Sequence, residues 1–484
     1  GFVLVLALTA CGGGGSGGSI FNFSDVGDLK GFVGGVVSDE PQATLTGRDA
    51  FDHRRAADDA AAAMYFVLAV TYPGAASLGG GGACVVYDRG LNKAYALDFE
   101  PKSAARPGAV AVPGNVRGMM ALQSRFGRLR WGQILAPAES LATIGHPLSR
   151  ATARELAVLG PELLRDPGLA AILGGASGST VKEGEQVRFV KLGATIGKLR
   201  VSDGADIYSG ELARRLVQDA AAVGGTLTMD DLRAAVPVWS EPKSFEYSNT
   251  NMLVPPRLPA ADTLRHLWEE GVSGPGLLDN GGTFDRVRLA AVLGRTGGGA
   301  AAPEDSTAAT GFAALDAFGR AVSCAVTMLR PFGIRQIAGD TGMLLAPDPA
   351  SVPDDLASVV PVLGVNFNSK QLFVAATGTG GAPAPAALTE VLAAAMVEDQ
   401  DLARAEAAPR FFRTGPSAPL QVEPKFDAKL AAALQAKGLN PAPSGNSLGR
   451  VNAIYCSDGM PRSPDSCRYA VDPRGFGYAY GGRQ

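Results

Sequence analysis

The chain has 484 residues, of which 46% are hydrophobic, and its formal net charge is −3 at pH 7. This length can build a full core for one large domain or two, and the near-neutral charge gives no electrostatic basis for binding nucleic acid. No apolar run in the sequence is long enough to cross a bilayer. The three histidines, His53, His146 and His266, lie far apart and outside any metal-ligand spacing, so we predict no metal and no cofactor.

The first residues of the chain have the character of an export signal. Residues 1–10 are apolar, and Leu8-Thr9-Ala10-Cys11 resembles a bacterial lipobox in which Cys11 would carry the lipid. The alternative is an ordinary cleavable signal with an unrelated cysteine. A Gly- and Ser-rich run follows and favours the lipoprotein, with residues 12–38 as a flexible tether. Both alternatives predict an exported protein of the bacterial envelope, placed in the periplasm, and the first predicts a lipid anchor as its only membrane contact.

The folded part of the chain is predicted to begin near Asp39. The alanine-rich segment Ala56–Leu68 favours a helix, which Tyr72-Pro73-Gly74 would end. A run of glycines, Gly79–Gly82, then leads directly into a strand-like run. A phosphate-binding loop needs a helix after its glycines. We therefore interpret this run as a place of close backbone approach, either to another segment or to a ligand.

A later stretch, residues 306–333, predicts a β-hairpin of two buried strands. Its two apolar runs and the turn between them are Gly311–Leu315, Ala321–Met328 and Asp316–Gly319. Thr310 stands at the head of the first strand, and Thr327 lies in the second. A Thr that becomes a chain N-terminus can use its own amine as a general base, so the hairpin is a candidate for a nucleophile as well as for a core element.

The four cysteines beyond Cys11 fall into two groups. Cys456 and Cys467 lie in β-like runs joined by a polar loop, and export permits oxidation, so we predict a disulfide across this hairpin. Cys84 and Cys324 fall in apolar strand-like runs, and we predict buried thiols there.

Many ordered motifs occur along the chain from about residue 39 onward. In chain order they are ADDAA (57–61), LGGGGACVVYD (78–88), ALDFEPKSAARPGAVAVPGNVRGM (96–119), FGRLRWGQILAPAESLATIGHPLS (126–149), GADIYSGELARRL (204–216), GGTLTMDDL (224–232), VPP (254–256), FAALDAFGRAVS (312–323), AAPRFF (407–412) and VDPRGFGYAYG (471–481). They include a glycine tetrad before a strand, a DFRE-like strand end and an AVPG turn. Together they resemble the motifs of the γ-glutamyltransferase family of N-terminal-nucleophile hydrolases.

The resemblance implies an α/β fold built as a four-layer αββα sandwich, with two stacked, mainly antiparallel sheets covered by helices. It also implies one precursor that cuts itself once, just before the nucleophilic Thr. The cut would separate a large-subunit-like region, residues 39–308, from a small-subunit-like region, residues 309–484. The two fragments would stay associated and interleaved in one globule.

The resemblance also shows a departure at the nucleophile. Anchored on Asp316 and Gly319, the family pattern T-T-H-x-S-x-x-D-x-x-G places Ala309 where the reacting Thr of the family stands, and Thr310 one position later. Thr310 could act as the nucleophile only after a one-residue shift, which turns a side chain to the other face of a sheet unless a bulge corrects it. The alternative is that Thr310 is an ordinary strand residue. Thr327 matches the Thr of the family whose hydroxyl helps to orient the nucleophile. The alternative is that Thr327 is an ordinary β-branched residue of a buried strand.

Other positions implied by the resemblance are altered as well. Glu100 replaces the family's substrate-clamping Arg, which holds an α-carboxylate through a two-pronged ion pair. In the family, an Asn-Asn pair and paired Asp residues hold the α-amino group of the substrate; in this chain only Asp348 keeps a charge, at a displaced position. Ser358 is the one serine that remains of the family's LSSMSP motif. The oxyanion hole would come from the backbone N–H groups of Gly381 and Ala382.

Two functions follow from these observations. By resemblance, the chain is a γ-glutamyl peptide (glutathione-type) hydrolase or transferase that uses an N-terminal Thr and takes a small γ-glutamyl-type or other amide ligand. The alternative is an unprocessed, catalytically degenerate exported lipoprotein with a binding or structural role. A third hypothesis is an acylase whose substrate lacks the α-carboxylate that the missing Arg would hold.

Overall fold

The computed structural model describes Gly1 and residues 32–51, 56–273, 284–295, 308–352 and 359–483. The predicted lipid site Cys11 and the predicted ligand residue Ser358 lie outside these ranges. Among the helices of the described ranges, none combines the length and the apolar character needed to cross a membrane.

The described residues form strands and helices in a mixed order along the chain. The strands are β1 (Phe32–Ser38), β2 (Gly81–Asp88), β3 (Lys93–Phe99), β4 (His146–Pro147), β5 (Gln186–Val187), β6 (Val238–Ser240), β7 (Lys243–Tyr247), β8 (Thr250–Val254), β9 (Ala309–Asp316), β10 (Ala321–Thr327), β11 (Ile337–Ala338), β12 (Met343–Leu344), β13 (Val360–Asn366), β14 (Gln371–Thr379), β15 (Phe411–Phe412), β16 (Leu420–Val422), β17 (Pro441–Pro443), β18 (Arg450–Met460), β19 (Cys467–Val471) and β20 (Tyr478–Arg483). The helices are α1 (Pro41–Asp49), α2 (Ala57–Thr71), α3 (Pro73–Ala76), α4 (Asn115–Phe126), α5 (Trp131–Ile144), α6 (Arg150–Leu163), α7 (Pro167–Leu173), α8 (Val190–Val201), α9 (Asp206–Ser209), α10 (Glu211–Ala222), α11 (Met229–Ala234), α12 (Pro259–Gly271), α13 (Arg286–Leu293), α14 (Ala384–Met396), α15 (Leu402–Ala407) and α16 (Ala428–Ala436).

Two large sheets form the centre of the fold. The first sheet has the strand order β20-β1-β9-β10-β2-β3-β6, and the second has the order β19-β18-β14-β13-β8-β7. Every pairing within these two sheets is antiparallel. Both sheets contain strands from either side of the predicted cut at residues 308–309, so neither the region before it nor the region after it completes a sheet by itself.

Three hydrophobic cores separate four layers. Residues such as Val85, Leu315 and Ile454 fill the space between the two sheets. A second core joins the first sheet to α2, α4, α5 and α8, and a third joins the second sheet to α12 and α14. Because strand side chains alternate between faces, each sheet buries both sides. The predicted αββα sandwich is therefore confirmed.

The predicted hairpin is confirmed as β9–β10, and it lies in the middle of the first sheet. Along β9, Phe312 and Ala314 pack toward the helices, whereas Ala313 and Leu315 pack toward the second sheet. The turn is fixed by Asp316, whose carboxylate Oδ1 accepts hydrogen bonds from the backbone N–H groups of Phe318 (2.9 Å) and Arg320 (3.0 Å). This turn sets the register of both strands.

The helix predicted at Ala56–Leu68 is also confirmed, as α2. Every residue of α2 is buried, and its alanines allow close approach to the first sheet and to α5. Asp59 in its first turn accepts hydrogen bonds from the backbone N–H groups of Arg128 (2.9 Å) and Leu129 (3.2 Å). The helix ends at Thr71, immediately before Tyr72 and Pro73.

The predicted tether, residues 12–38, is wrong at its C-terminal end. Phe32–Ser38 forms β1, which pairs with β9 on one side and β20 on the other. Val36 and Val37 point into two different cores. A short Gly- and Val-containing strand with both neighbours distant in sequence gives little local signal, which explains the error.

The four cysteines form two disulfides. Cys456 and Cys467 are bonded between β18 and β19, and Cys84 is bonded to Cys324 between β2 and β10. The prediction of buried thiols at Cys84 and Cys324 is therefore wrong. The two residues stand directly opposite each other in the sheet register, but 240 positions separate them along the chain, so their pairing depends on the completed sheet.

The two disulfides provide a matched pair for a stability measurement, because each joins opposite residues of neighbouring antiparallel strands. Their sequence separations are 240 and 11 residues. Loop-closure entropy predicts that Cys84→Ala/Cys324→Ala lowers the free energy of unfolding by about 5 kcal/mol, and Cys456→Ala/Cys467→Ala by about 3 kcal/mol. Urea unfolding of both double variants measures this, and a larger loss for the shorter loop would contradict the entropic account.

A cluster of buried charges lies behind the β9–β10 turn. The Arg320 guanidinium donates to Asp58 (3.3 Å) and Asp88 (2.9 Å), and also to the carbonyl of Phe126 (3.1 Å). Burial raises the pKa of Asp58 from 3.8 to about 7, and the attraction of Arg320 offsets only part of this rise. Burial likewise raises the pKa of Asp316 to about 6. Burial therefore disfavours the charged forms of Asp58 and Asp316, and the positive charge of the single Arg320 guanidinium offsets this effect only in part.

These raised pKa values predict a pH-dependent stability. The unfolded chain releases these protons near pH 4, whereas Asp58 keeps its proton up to about pH 7 in the folded protein. The free energy of unfolding should therefore fall as the pH rises from about 4 to 7, where the folded state binds more protons. Asp58→Asn keeps an acceptor for Arg320 and should make this fall smaller in urea unfolding. The exposed control Asp230→Asn should leave it unchanged; an unchanged slope in Asp58→Asn would contradict the prediction.

Candidate functional site

The start of β9 places its first two residues on opposite faces of the first sheet. Ala309 stands opposite Thr327 of β10, which in turn stands opposite Gly81 of β2. Ala309 packs in the core of the second sheet. Thr310 stands opposite Val326, whose side chain packs toward the helices. The alternation of strand side chains therefore separates the methyl group of Ala309 from the hydroxyl of Thr310.

The peptide bond between Ala308 and Ala309 is held by two donors. The carbonyl oxygen of Ala308 accepts hydrogen bonds from the backbone N–H of Met328 (2.7 Å) and from the Thr327 hydroxyl (2.9 Å). The Thr327 Oγ1 accepts in turn from the backbone N–H of Leu329 (2.8 Å), which orients its proton toward Ala308. Two donors on one carbonyl are the arrangement that stabilises negative charge on its oxygen. Thr327 thus contacts the backbone at the position of the predicted cut.

The hydroxyl of Thr310 belongs to a different group of contacts. It is fully buried and donates a hydrogen bond of 2.8 Å to Asp39 Oδ2. The register of β9 against β10 runs without a bulge from Ala309 to Leu315. The one-residue shift that a nucleophilic Thr310 would need is therefore absent from these pairings.

Asp39 connects Thr310 to two residues of β18. Asn452 Nδ2 donates to Asp39 Oδ1 (2.9 Å), and Arg450 forms an ion pair with Asp39 Oδ2 (3.5 Å). The Arg450 guanidinium also donates to the carbonyl oxygen of Ala309 (2.9 Å) and to Tyr72 Oη (3.3 Å). Burial would lower the pKa of Arg450, but the nearby Asp39 carboxylate raises it overall. Arg450 is therefore a buried cation beside the backbone of residue 309.

Sequence reasoning did not identify this network. Asp39 follows the misassigned strand β1, and Arg450 begins a strand that is mostly buried and mostly apolar. A single Arg at the head of such a strand, where an unpaired charge would be costly, is the signal that could have predicted a buried acidic partner.

The predicted oxyanion residues lie between β14 and α14. Gly380 and Gly381 both have positive φ, +99° and +76°, a conformation that favours glycine. The carbonyl of Gly381 accepts from the backbone N–H of Ala384 (2.9 Å), which begins the helix. Thr377, in the preceding strand, packs directly on Gly311 of β9. The end of β14 is thus brought over the start of β9, and Gly381 and Ala382 follow it.

The remaining predicted ligand residues have other contacts. Asp348 is buried and its Oδ1 accepts from the Ser103 hydroxyl (2.5 Å) and the Ala350 backbone N–H (3.0 Å). These hydrogen bonds hold the loop after β12 against the loop after β3, so the contacts of Asp348 are structural. Glu100 follows β3, and its backbone lies against Gly81 of β2. Gly81 in turn stands opposite Thr327 of β10. Within the described residues, no group of three or more metal-ligating side chains occurs.

Comparisons with known proteins place this geometry in context. The family model described as gamma-glutamyltranspeptidase matches residues 43–261 and 355–482. The interval between these ranges contains the β9–β10 hairpin. The unmatched interval therefore coincides with the part of the chain where the nucleophile pattern departs.

Curated relatives resemble part of the chain. Scoloptoxin SSD14 from Scolopendra dehaani is 30% identical over 220 residues, which are 42% of this chain and 38% of that protein. Glutathione hydrolase 7 from Homo sapiens is 29% identical over 242 residues, 46% of this chain and 36% of that protein. The glutathione hydrolase proenzyme of Escherichia coli K12 is 27% identical over 235 residues, 44% of this chain and 40% of that protein. The chain thus spans well under half the length of these relatives.

A solved structure resembles nearly the whole fold. The cephalosporin acylase from Bacillus halodurans superposes with a TM-score of 0.76 at 19% identity, covering 96% of this chain and 98% of that one. At this identity the likeness concerns the fold alone.

The contact between Thr310 and Asp39 predicts a structural role that can be measured. Thr310→Val removes the donor to a buried carboxylate, so it should lower the free energy of unfolding by about 1–3 kcal/mol. Thr310→Ser keeps the hydroxyl and should lose less, measured by urea unfolding of both variants. Equal stability of Thr310→Val and the parent chain would contradict this assignment.

Proposed function

Because the chain belongs to the γ-glutamyltranspeptidase family, we propose that it is an exported, unprocessed member that binds an amide ligand without cleaving it. The observation that carries this proposal is the methyl group of Ala309, which stands opposite Thr327 where the resemblance expects the reacting hydroxyl. A predicted lipid on Cys11 would hold the protein at the bacterial envelope.

The proposal follows from what an N-terminal nucleophile must supply. Self-cleavage begins when a side-chain oxygen attacks the carbonyl carbon of the preceding residue, and the amine released then serves as the general base. An alanine methyl group has no lone pair and cannot attack. The donors from Thr327 and Met328 to the Ala308 carbonyl would still polarise that bond. Without a nucleophilic atom on residue 309, these two hydrogen bonds cannot lead to cleavage.

The hydrolase alternative requires Thr310 to replace the missing hydroxyl. The contacts of Thr310 argue against this, because its side chain projects from the opposite face of β9 and donates to Asp39. Moving it to the other face would also turn Phe312 and Ala314 out of the core that they share with the helices. The curated relatives named glutathione hydrolases therefore support the ancestry of the fold more than they support activity in this chain.

The residues at the family's substrate-binding positions support a ligand specificity that differs from that of the family. Glu100 cannot form the two-pronged ion pair with a carboxylate that an Arg forms, and Asp348 is committed to Ser103 and Ala350. We therefore expect an amide ligand in which the α-carboxylate is absent or masked. The glycines after β14 would supply its backbone donors.

A gain-of-function substitution tests the proposal most sharply. Ala309→Thr adds a hydroxyl next to the Ala308 carbonyl that Thr327 and Met328 already contact, so it should produce a fragment beginning at residue 309. Ala309→Val, with the same shape and no hydroxyl, is the matched control and should stay whole. Denaturing gels and N-terminal sequencing of the fragments measure the outcome.

Two further results define the limits of the proposal. Thr327→Val, combined with Ala309→Thr, removes one donor to the carbonyl and should slow cleavage about 100- to 1,000-fold, since one such donor contributes about 2.7–4 kcal/mol. Cleavage of the unmodified chain at residue 309 or 310 would overturn the proposal. An uncut Ala309→Thr variant would contradict the claim that the hydroxyl is the missing element.

A further inference from the structure

A cleft of about 720 Å³ opens beside the start of α1 and the start of α6. We name it the Glu40 cleft, after a lining residue; its lining includes Glu40, Thr71, His146, Ser149, Arg150 and Phe476. Its volume lies in the range of small-molecule sites, about 300–1,000 Å³. It shares no residue with the Ala309 site described above, and its lining comes from segments distant in sequence.

The cleft contains a buried acceptor that lacks a donor. The ring of His146 is only 3% exposed and stacks on Phe189. Its Nδ1 lies 3.2 Å from the carbonyl oxygen of Leu141, which can only accept, so Nδ1 carries the proton. Burial lowers the pKa of His146, and the neutral ring leaves a lone pair on Nε2. Within the described part of the chain, this nitrogen has no hydrogen-bond partner.

A carboxyl group also lines the cleft. Glu40 is almost completely buried, and its Oε2 accepts hydrogen bonds from the Ala43 backbone N–H and the Thr71 hydroxyl, both at 2.9 Å. The carbonyl of Thr71 then accepts from the Ser149 hydroxyl at 3.1 Å. These contacts join Glu40 to the start of α6, and Ser149 and Arg150 of that region line the same cleft.

The charge balance of the cleft favours a cation. Arg150 is already engaged, because its Nε lies 2.9 and 3.0 Å from the two carboxylate oxygens of Glu183 and its guanidinium lies over the Phe476 ring. Glu40, the other acidic residue of the lining, forms no ion pair within the described residues. Burial raises the pKa of its carboxyl, so a bound cation would stabilise the carboxylate. Phe476 and Pro147 add apolar surface beside these polar groups.

We propose that the Glu40 cleft binds a small organic cation, a primary amine or guanidine with an apolar body. Its N–H groups would donate to Glu40 and to His146 Nε2, and its body would lie on Phe476. A buried acceptor without a donor costs about 1–3 kcal/mol, and the bound N–H group removes that cost. This site is independent of residue 309, so its failure and the failure of the proposed function are separate outcomes.

Three aromatic probes of the same size test the charge preference. Benzylamine is a cation, benzyl alcohol is neutral and benzoate is an anion at pH 7.5. Isothermal titration of the full chain should give benzylamine a Kd at least tenfold lower than either of the other two. Equal binding of benzoate, or no heat with benzylamine at millimolar concentration, would overturn the proposal.

Substitutions within the cleft test the assigned groups. Glu40→Gln keeps the oxygen that caps α1 and should weaken benzylamine at least tenfold. His146→Phe keeps the stacked ring, removes the acceptor and should weaken it about fivefold, which corresponds to about 1 kcal/mol. Arg154→Gln, an exposed position one turn along α6 from Arg150, is the matched control and should change nothing. Thermal unfolding confirms that each variant folds; unchanged binding in His146→Phe and in a folded Glu40→Gln would contradict the site.

Discussion

The register of β9 between β1 and β10 is the constraint on which the rest of the structure depends. The Asp316 turn sets this register, and the antiparallel ladders on both sides of β9 maintain it. A slip by one residue would exchange the two faces of β9 and turn Phe312 and Ala314 out of the helix-facing core. Because both faces of the strand are buried, the energetic penalty of such a slip is large. Residue 309 is therefore fixed opposite Thr327, and Thr310 is fixed beside Asp39.

This constraint separates the family's fold from the family's chemistry. The hydroxyl of Thr327 and the backbone N–H of Met328 donate to the Ala308 carbonyl, and the buried Arg450 guanidinium donates to the Ala309 carbonyl. At residue 309 a methyl group stands where the family pattern predicts the reacting hydroxyl. A fold depends on thousands of packing contacts and survives such a loss, whereas a covalent mechanism depends on a single atom and does not. Membership of the family and absence of its reaction are therefore compatible in one chain.

The sequence predicted the parts of the structure that local patterns determine. Alanine content predicted α2, and alternating apolar runs about a glycine turn predicted the β9–β10 hairpin. The ordered motifs predicted the four layers. Cys456 and Cys467 are close in sequence, so their pairing could be proposed. The bond between Cys84 and Cys324 could not, since it joins residues 240 positions apart. The same reason hid the contacts of Asp39 with Thr310, Arg450 and Asn452, and the convergence of Glu40 with His146 in one cleft. Long-range polar contacts leave no periodic signal, and only the completed sheets bring them together.

The state of a single peptide bond tests the central claim most directly. The unmodified chain can be purified without added protease, incubated for days at neutral pH and digested for mass spectrometry. The account predicts that the peptide containing the bond between residues 308 and 309 is recovered whole, with no new N-terminus in this region. A stoichiometric N-terminus at residue 309 or 310 would contradict the account and would show that a hydroxyl other than the missing one performs the cleavage.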